Sequence, residues 1–238
     1  MKFCALLSGG KDSNYALYRA LKEGHTLACV VIVKPIRDDS WLFHAVYPEI
    51  ALLQAEAMGL EKEKVFLFEV SGEKETEVSE LENYMVKLRK EIDFDTILCG
   101  AISSRYQLTR FEKIAGRLGV KVYSPLWGID QEKYMKQLVE EGFVFVITKI
   151  MSMGLPPDFL AKPIDLIHVE KIINLSRLYG FNPAFEGGEA ETLVVEAPHY
   201  RYSICIEGVR ESLTEFEHVF KISKYWLGEK GRTCVAIL

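Results

Sequence analysis

Short, wholly apolar runs alternate with longer amphipathic segments through the first half of the chain. The run at residues 27–33 is rich in Val and Ile, as in a strand buried on both faces of a sheet. Residues 14–22 carry apolar surface from Tyr15, Leu17, Tyr18 and Leu21, and this segment is predicted to be a helix. The predicted strands are 3–7, 27–33, 65–68, 96–99 and 121–123, and the predicted helices are 14–22, 49–58, 76–91 and 104–118.

This alternation with short connections predicts an α/β fold, namely a doubly wound, mainly parallel five-stranded sheet with helices on both faces. Ligands of such sheets bind at the carboxyl ends of the strands, where the strand order reverses. The loops after Leu7, Val33 and Cys99 are therefore the places where we expect the chemistry.

The second half of the chain has a different pattern, in which strands dominate after residue 192. Helices are predicted at 132–141 and 166–178, with strands at 143–149, 193–195, 202–206, 218–222 and 233–237. This pattern predicts a smaller α+β domain at the carboxyl end. The predicted domains are 1–126 and 127–238.

The first predicted strand and helix are joined by a polar, glycine-rich loop. Its residues are Ser8, Gly9, Gly10, Lys11, Asp12 and Ser13. Paired glycines let a ligand approach the main chain, and the unpaired amides at a helix start favour an anion. The serine hydroxyls and Lys11 would complete a phosphate cradle. The alternative is a strand-to-helix turn capped by Asp12 or Ser13.

The loop has neither the Walker spacing nor the GxGxxG dinucleotide spacing. The sequence SGGKDS instead resembles the PP-loop of the ATP pyrophosphatase superfamily, which has a HUP-like fold. The resemblance implies that ATP binds here through its β- and γ-phosphates and that attack on the α-phosphate releases pyrophosphate. We expect Mg²⁺ as a second cofactor, with Asp12 as its metal-linked residue and helix capping as an equal alternative for that carboxylate.

Polar residues also follow the fourth predicted strand, at the same edge of the sheet. Gly100 permits close approach, Ser103 or Ser104 can cap the next helix, and Gln107 and Arg110 extend from one face of it. The alternative is a capped helix with a solvated arginine. We expect Val33, Gly100 and Ser104 to contact the nucleotide, and His44, Tyr106, Gln107 and Arg110 to contact the acceptor substrate.

A second glycine pair, Gly187 and Gly188, lies among Glu186, Glu189 and Glu191 and is followed by Thr192. Such a cluster suits a Mg²⁺ or ammonium site or a polar substrate pocket. An acidic surface turn is the alternative.

Four segments together, SGGKDSNYAL, GAISSRYQ, PLWG and NPAFEGGEAET, look like those of the diphthine–ammonia ligase family. The resemblance implies that ATP adenylates the carboxylate of diphthine on elongation factor 2 and that ammonia displaces AMP to give diphthamide. It implies catalytic roles for Lys11, Asp12, Glu189 and Glu191. Another amidating ligase with a small-molecule acceptor, or an ATP-sensing module without turnover, stays open.

Composition and net charge limit the classes of partner that we expect the chain to bind. The chain has 238 residues, a formal net charge of −5 and a pI of about 5.7, so no direct nucleic-acid partner is expected. No apolar run approaches the ~20 residues of a membrane helix. The five cysteines are scattered singly in apolar stretches, which indicates buried thiols in a reducing cytoplasm. A homo-oligomer is left open.

Overall fold

The computed structural model describes residues 1–37 and 47–238. The chain divides into two compact units. The first comprises Met1–Glu56 and Leu60–Gly128, and the second comprises Ala57–Gly59 and Ile129–Leu238.

The first unit contains a five-stranded, all-parallel sheet. Its elements are β1 (Lys2–Leu6), α1 (Lys11–Lys22), β2 (Thr26–Pro35), α2 (Pro48–Ala57), β3 (Val65–Val70), α3 (Thr76–Glu91), β4 (Thr96–Leu98), α4 (Arg105–Leu118) and β5 (Lys121–Tyr123). The predicted elements of this half are all present, but α1 begins at Lys11, three residues before the predicted start. Four residues, 7–10, therefore connect the end of β1 at Leu6 to the start of α1 at Lys11.

Helices cover both faces of this sheet. Cys29, Val31 and Val33 of β2 point into a core formed with α3 and α4. Their neighbours Val30 and Ile32 are also buried and point to the opposite face, because side chains alternate along a strand. Helix α1 packs there against β1 and β2, and α2 is hydrogen-bonded to α1.

The strand order β3-β2-β1-β4-β5 confirms the predicted doubly wound sheet. The chain moves outward from β1 through β2 to β3 and then returns to β4 on the other side of β1. The order therefore reverses between β1 and β4. The loops after these two strands lie side by side at the carboxyl edge, where such sheets bind ligands.

The second unit has two helices and a mixed sheet of order β10-β8-β9-β6-β7. Its elements are α5 (Gln131–Glu140), β6 (Val144–Ile150), α6 (Leu166–Tyr179), β7 (Ala190–Glu196), β8 (Ser203–Ser212), β9 (His218–Gly228) and β10 (Val235–Ile237). All neighbouring strands are antiparallel except β10 and β8. Strands β8 and β9 extend well past the predicted 202–206 and 218–222, because ladder hydrogen bonds keep their charged, exposed ends extended.

One expectation about the cysteines is wrong. Four of the five are buried, but Cys234 is exposed. It immediately precedes β10, a three-residue edge strand that pairs only with β8, so little of the unit covers it. Across the described part of the chain, no helix combines the length and the apolar character that crossing a bilayer requires.

Candidate functional site

The glycine-rich loop presents its main chain at the start of α1. Gly9 has φ 88°, in the left-handed region that favours glycine. Gly10 is the N-cap residue, with φ −74° and ψ 169°, and it makes no side-chain cap hydrogen bond. The alternative of a turn capped by Asp12 or Ser13 is therefore wrong, because both residues lie inside the helix. The amides of the first turn have the arrangement that binds anions in other proteins.

The two loop serines are joined to each other across the turn. Their hydroxyl oxygens are 3.0 Å apart, and the Ser13 Oγ also accepts from the Ser8 amide at 3.2 Å. The Ser13 hydroxyl lies 3.2 Å from the Gly10 carbonyl. These contacts close the loop on itself and fix where its amides point.

Lys11 and Asp12 form an ion pair at the first turn. The Lys11 Nζ lies 2.9 Å from each Asp12 carboxylate oxygen. The lysine side chain is only 2% exposed, whereas Asp12 is 30% exposed. A buried ammonium needs such a partner, because burial of an unpaired charge costs several kcal/mol. The pair places one ammonium group and one carboxylate group at the loop.

Two residues that the sequence reasoning missed support the loop from beneath. Gln54 of α2 donates from Nε2 to the Gly9 carbonyl at 2.9 Å, and Asn14 donates from Nδ2 to the Gly10 carbonyl at 3.0 Å. Both side chains are fully buried. A signal was present in the sequence, because Gln54 lies in an otherwise apolar helix stripe with Ile50, Ala51 and Met58.

The loop after β4 packs directly on this structure. A Cβ on Gly100 would lie 2.7 Å from the Asp12 carbonyl carbon and from the Ser13 nitrogen. Ser104 caps α4 by accepting the Gln107 amide at 3.3 Å. The structure thus brings Gly100 to the glycine-rich loop, but it places the Val33 side chain in the core against α3 and α4.

Tyr106 and Arg110 form a tight polar cluster on α4. The Arg110 guanidinium carbon lies 3.4 Å from the centroid of the Tyr106 ring and the side chain is ion-paired with Glu75. Burial raises the pKa of Tyr106, although Arg110 opposes that shift. Arg110 is only 19% exposed, so the alternative of a solvated arginine is wrong. Glu75 has φ 66°, a conformation that side chains other than glycine rarely adopt.

The acidic turn lies in the second unit, just before β7. Glu189 accepts the amides of Asn182 at 2.9 Å and of Gly187 at 2.8 Å through its two carboxylate oxygens. These bonds give Glu189 a part in shaping the turn. Glu191 lies opposite Lys149 in the β6–β7 ladder, and Thr192 lies opposite Ile147. Glu186 is half-buried, whereas Gly187 and Gly188 are exposed.

Two predictions remain, the one for His44 and the one for a metal site. His44 lies outside the described residues. Among those that are described, no three His, Cys, Asp or Glu side chains cluster as the ligands of a metal ion would. Asp12 is a single carboxylate at the loop, which is compatible with Mg²⁺ held mainly by substrate phosphates and water.

Comparison with known proteins gives the same family over most of the chain. The family model of the diphthamide synthase N-terminal domain matches residues 1–122, and that of the C-terminal domain matches residues 130–233. A diphthine–ammonia ligase of Mus musculus is 30% identical, over 97% of this chain and 94% of its own length. That of Homo sapiens is 29% identical, over 87% of this chain and 83% of its own length.

A diphthine–ammonia ligase of Schizosaccharomyces pombe is 31% identical over 87% of this chain, but the match spans only 36% of that longer protein. Among solved structures, a predicted subunit of tRNA methyltransferase from Methanocaldococcus jannaschii aligns with a TM-score of 0.40 at 12% identity. The alignment covers 94% of this chain and 99% of that one. A likeness this low carries no argument about function.

Proposed function

The chain belongs to the diphthamide synthase family, and from that premise we propose that it is an AMP-forming ligase that uses ATP and ammonia to amidate diphthine on elongation factor 2. The observation that carries the proposal is the start of α1, whose N-cap residue Gly10 has no capping side chain, at the point where the strand order reverses. This is the position at which a parallel sheet presents main-chain amides to a phosphate chain.

The loop residues have distinct parts in this proposal. The amides of the first turn hold the β- and γ-phosphates, with Ser8, Ser13 and the Lys11 ammonium as further donors. The Asp12 carboxylate, which is paired with Lys11, would also help to hold a Mg²⁺ ion, and the ion would supply charge stabilisation for the departing pyrophosphate. Gly100 and Ser104 contact the nucleotide from the β4 side, together with the main chain at Val33.

The reaction divides into two steps that balance. A carboxylate oxygen of diphthine attacks the α-phosphorus of ATP, and the bond to the β-phosphate oxygen breaks to release pyrophosphate. Ammonia then attacks the acyl carbon, loses one proton, and expels AMP to leave the amide. The enzyme contributes chiefly by fixing the two reactants in line and by stabilising the charge on the phosphates.

We propose that the acceptor substrate is bound by polar residues of α4 and of the acidic turn before β7. We assign contacts with the acceptor to Tyr106, Gln107 and Arg110 of α4 and, from the sequence alone, to His44. Glu191, Glu186, Gly187, Gly188 and Thr192 bind the acceptor or ammonium, and Glu189 holds their turn in shape. The support for the last assignment is the pair of amide hydrogen bonds to the Glu189 carboxylate.

The test is a complete reaction with Mg-ATP, ammonium and elongation factor 2 that carries diphthine. We expect AMP and pyrophosphate in equal amounts, together with the small mass change that replacement of the diphthine carboxyl OH by NH₂ produces on the factor. Asp12→Ala should remove pyrophosphate release while leaving the circular dichroism spectrum intact.

The rival functions give different products. If a small carboxylic acid supports formation of AMP and pyrophosphate in the absence of elongation factor 2, that acid is the acceptor substrate instead. Tight ATP binding without any turnover would identify a sensing module instead. Either result contradicts the proposal.

A further inference from the structure

We propose that Gln54 and Asn14 are positioning residues that set the direction of the phosphate-binding amides from inside the protein. The inference rests on the proposed function only in taking ATP as the ligand of the loop. Neither residue belongs to the glycine-rich motif, and Gln54 comes from a different helix, 45 residues beyond Gly9.

The two side chains hold consecutive carbonyl groups of the loop. Gln54 Nε2 donates to the Gly9 carbonyl at 2.9 Å. Asn14 Nδ2 donates to the Gly10 carbonyl at 3.0 Å and also lies 3.3 Å from Gln54 Oε1. One continuous hydrogen-bonded chain therefore runs from α2 through α1 to both glycines.

These bonds fix the amides through the geometry of the peptide group. In a planar trans peptide, the carbonyl oxygen and the amide hydrogen point in opposite directions. Since Gln54 draws the Gly9 carbonyl inward, the Gly10 amide is directed away from the core, where it donates a long hydrogen bond to the Ser8 Oγ at 3.4 Å. In the same way, the inward Gly10 carbonyl directs the Lys11 amide outward. The hydrogen bonds to the Gly9 and Gly10 carbonyls thus orient the Gly10 and Lys11 amides, which lie on the opposite side of the same peptide groups.

The cost of burying these amides supports a functional reason for them. Gln54 and Asn14 are both 0% exposed, and the neighbours of Gln54 on its helix face include Ile50 and Ala51, which are also fully buried. A polar amide in such a place is destabilising unless its hydrogen bonds are made, and an apolar residue would pack there without that requirement. Each of the two side chains donates a hydrogen bond to the loop, Gln54 to the Gly9 carbonyl and Asn14 to the Gly10 carbonyl.

Gln54→Glu gives a readout that a purely structural role would not produce. A protonated Glu carboxyl can donate to the Gly9 carbonyl, but the ionised form places a negative oxygen against it. Burial raises the pKa of such a carboxyl, so the change falls within an accessible pH range. We expect the ATP dissociation constant of this variant to rise about tenfold or more from about pH 5.5 to 8.5 beyond any change in wild type measured in parallel.

A second variant and a matched control separate positioning from folding. Gln54→Met keeps the side-chain length but has no donor, so we expect ATP affinity about tenfold below wild type with no added pH dependence. The control is Ser176→Ala in the second unit, which removes a buried hydroxyl that donates to the Ile173 carbonyl at 2.8 Å. It should leave ATP affinity unchanged.

The outcomes distinguish this inference from the proposed function. A folded wild-type protein that does not bind Mg-ATP overturns both. Wild-type affinity at every pH in both Gln54 variants overturns the positioning role alone. Should Gln54→Glu fail to fold, as judged by its thermal melt, Gln54→Met decides, and normal ATP affinity in that variant overturns the role.

Discussion

Substitution of Gly100 by Ala gives the most direct local perturbation of the loop. The added Cβ would lie 2.7 Å from the Asp12 carbonyl carbon, whereas ordinary contacts begin at 3.4 Å, so the start of α1 must move by about 0.7 Å. The clashing atoms are backbone, so no side chain can rotate away. Overpacking of this kind costs about 1–3 kcal/mol. A shift approaching 1 Å at a reacting site lowers activity up to about 100-fold.

We therefore expect Gly100→Ala to lower kcat/KM for pyrophosphate release about 10- to 100-fold. The assay is the initial rate of pyrophosphate formation, with thermal unfolding measured alongside. Gly116→Ala is the matched control, because a Cβ at Gly116 of α4 meets nothing within 4 Å. It should stabilise by about 0.5–1 kcal/mol and keep full activity. Wild-type kcat/KM in Gly100→Ala would refute the close approach of the two loops.

Three further predictions concern the second unit. In Glu189→Gln, the side-chain NH₂ faces one of the two main-chain N–H groups that now donate to the carboxylate. The variant should therefore lose about 1–3 kcal/mol of stability without a change in ATP affinity. An unchanged thermal melt would contradict this prediction. Burial, with Lys230 adding to it, lowers the pKa of His199 from 6.5 to about 3. As the pH falls, the unfolded state therefore takes up the proton first, and the free energy of unfolding should fall by about 1.4 kcal/mol per pH unit between about pH 6.5 and about pH 3. Urea titrations should lose this slope in His199→Gln. Finally, Cys234 is the exposed cysteine, so under native conditions a maleimide should modify it alone, and labelling of buried Cys205 would contradict the arrangement.

The first unit was predictable because its central strands β1, β2 and β4 are largely buried on both faces. Runs such as Cys29–Val33 are apolar at every position, and the β-to-α alternation then leaves few topologies. The second unit was harder, since β8 and β9 carry charged residues at their exposed ends. Arg210 of β8 and Lys224 of β9 lie beyond the predicted strands and stay extended through the ladder that these two strands form, which no local pattern reveals.

In the candidate site, too, features that depend on neighbouring residues could be predicted, whereas contacts between distant segments could not. The glycine-rich loop could be located because it depends on local residues between one strand and one helix. The support from Gln54 could not be assigned, since it depends on how α2 packs beside α1. The contact of Gly100 with Asp12 likewise arises only when β4 pairs with β1. Patterns identify the chemistry, and the tertiary fold determines which groups support it.

The central claim is that the main chain at the start of α1 binds the phosphates of ATP. Residue-resolved ¹H–¹⁵N spectra, recorded while Mg-ATP is added, test it most directly. We predict that the amide signals of Gly10, Lys11 and Asp12 shift most and that they do so with one common affinity. Saturating ATP that leaves these three signals in place, while amides elsewhere move, would contradict the account.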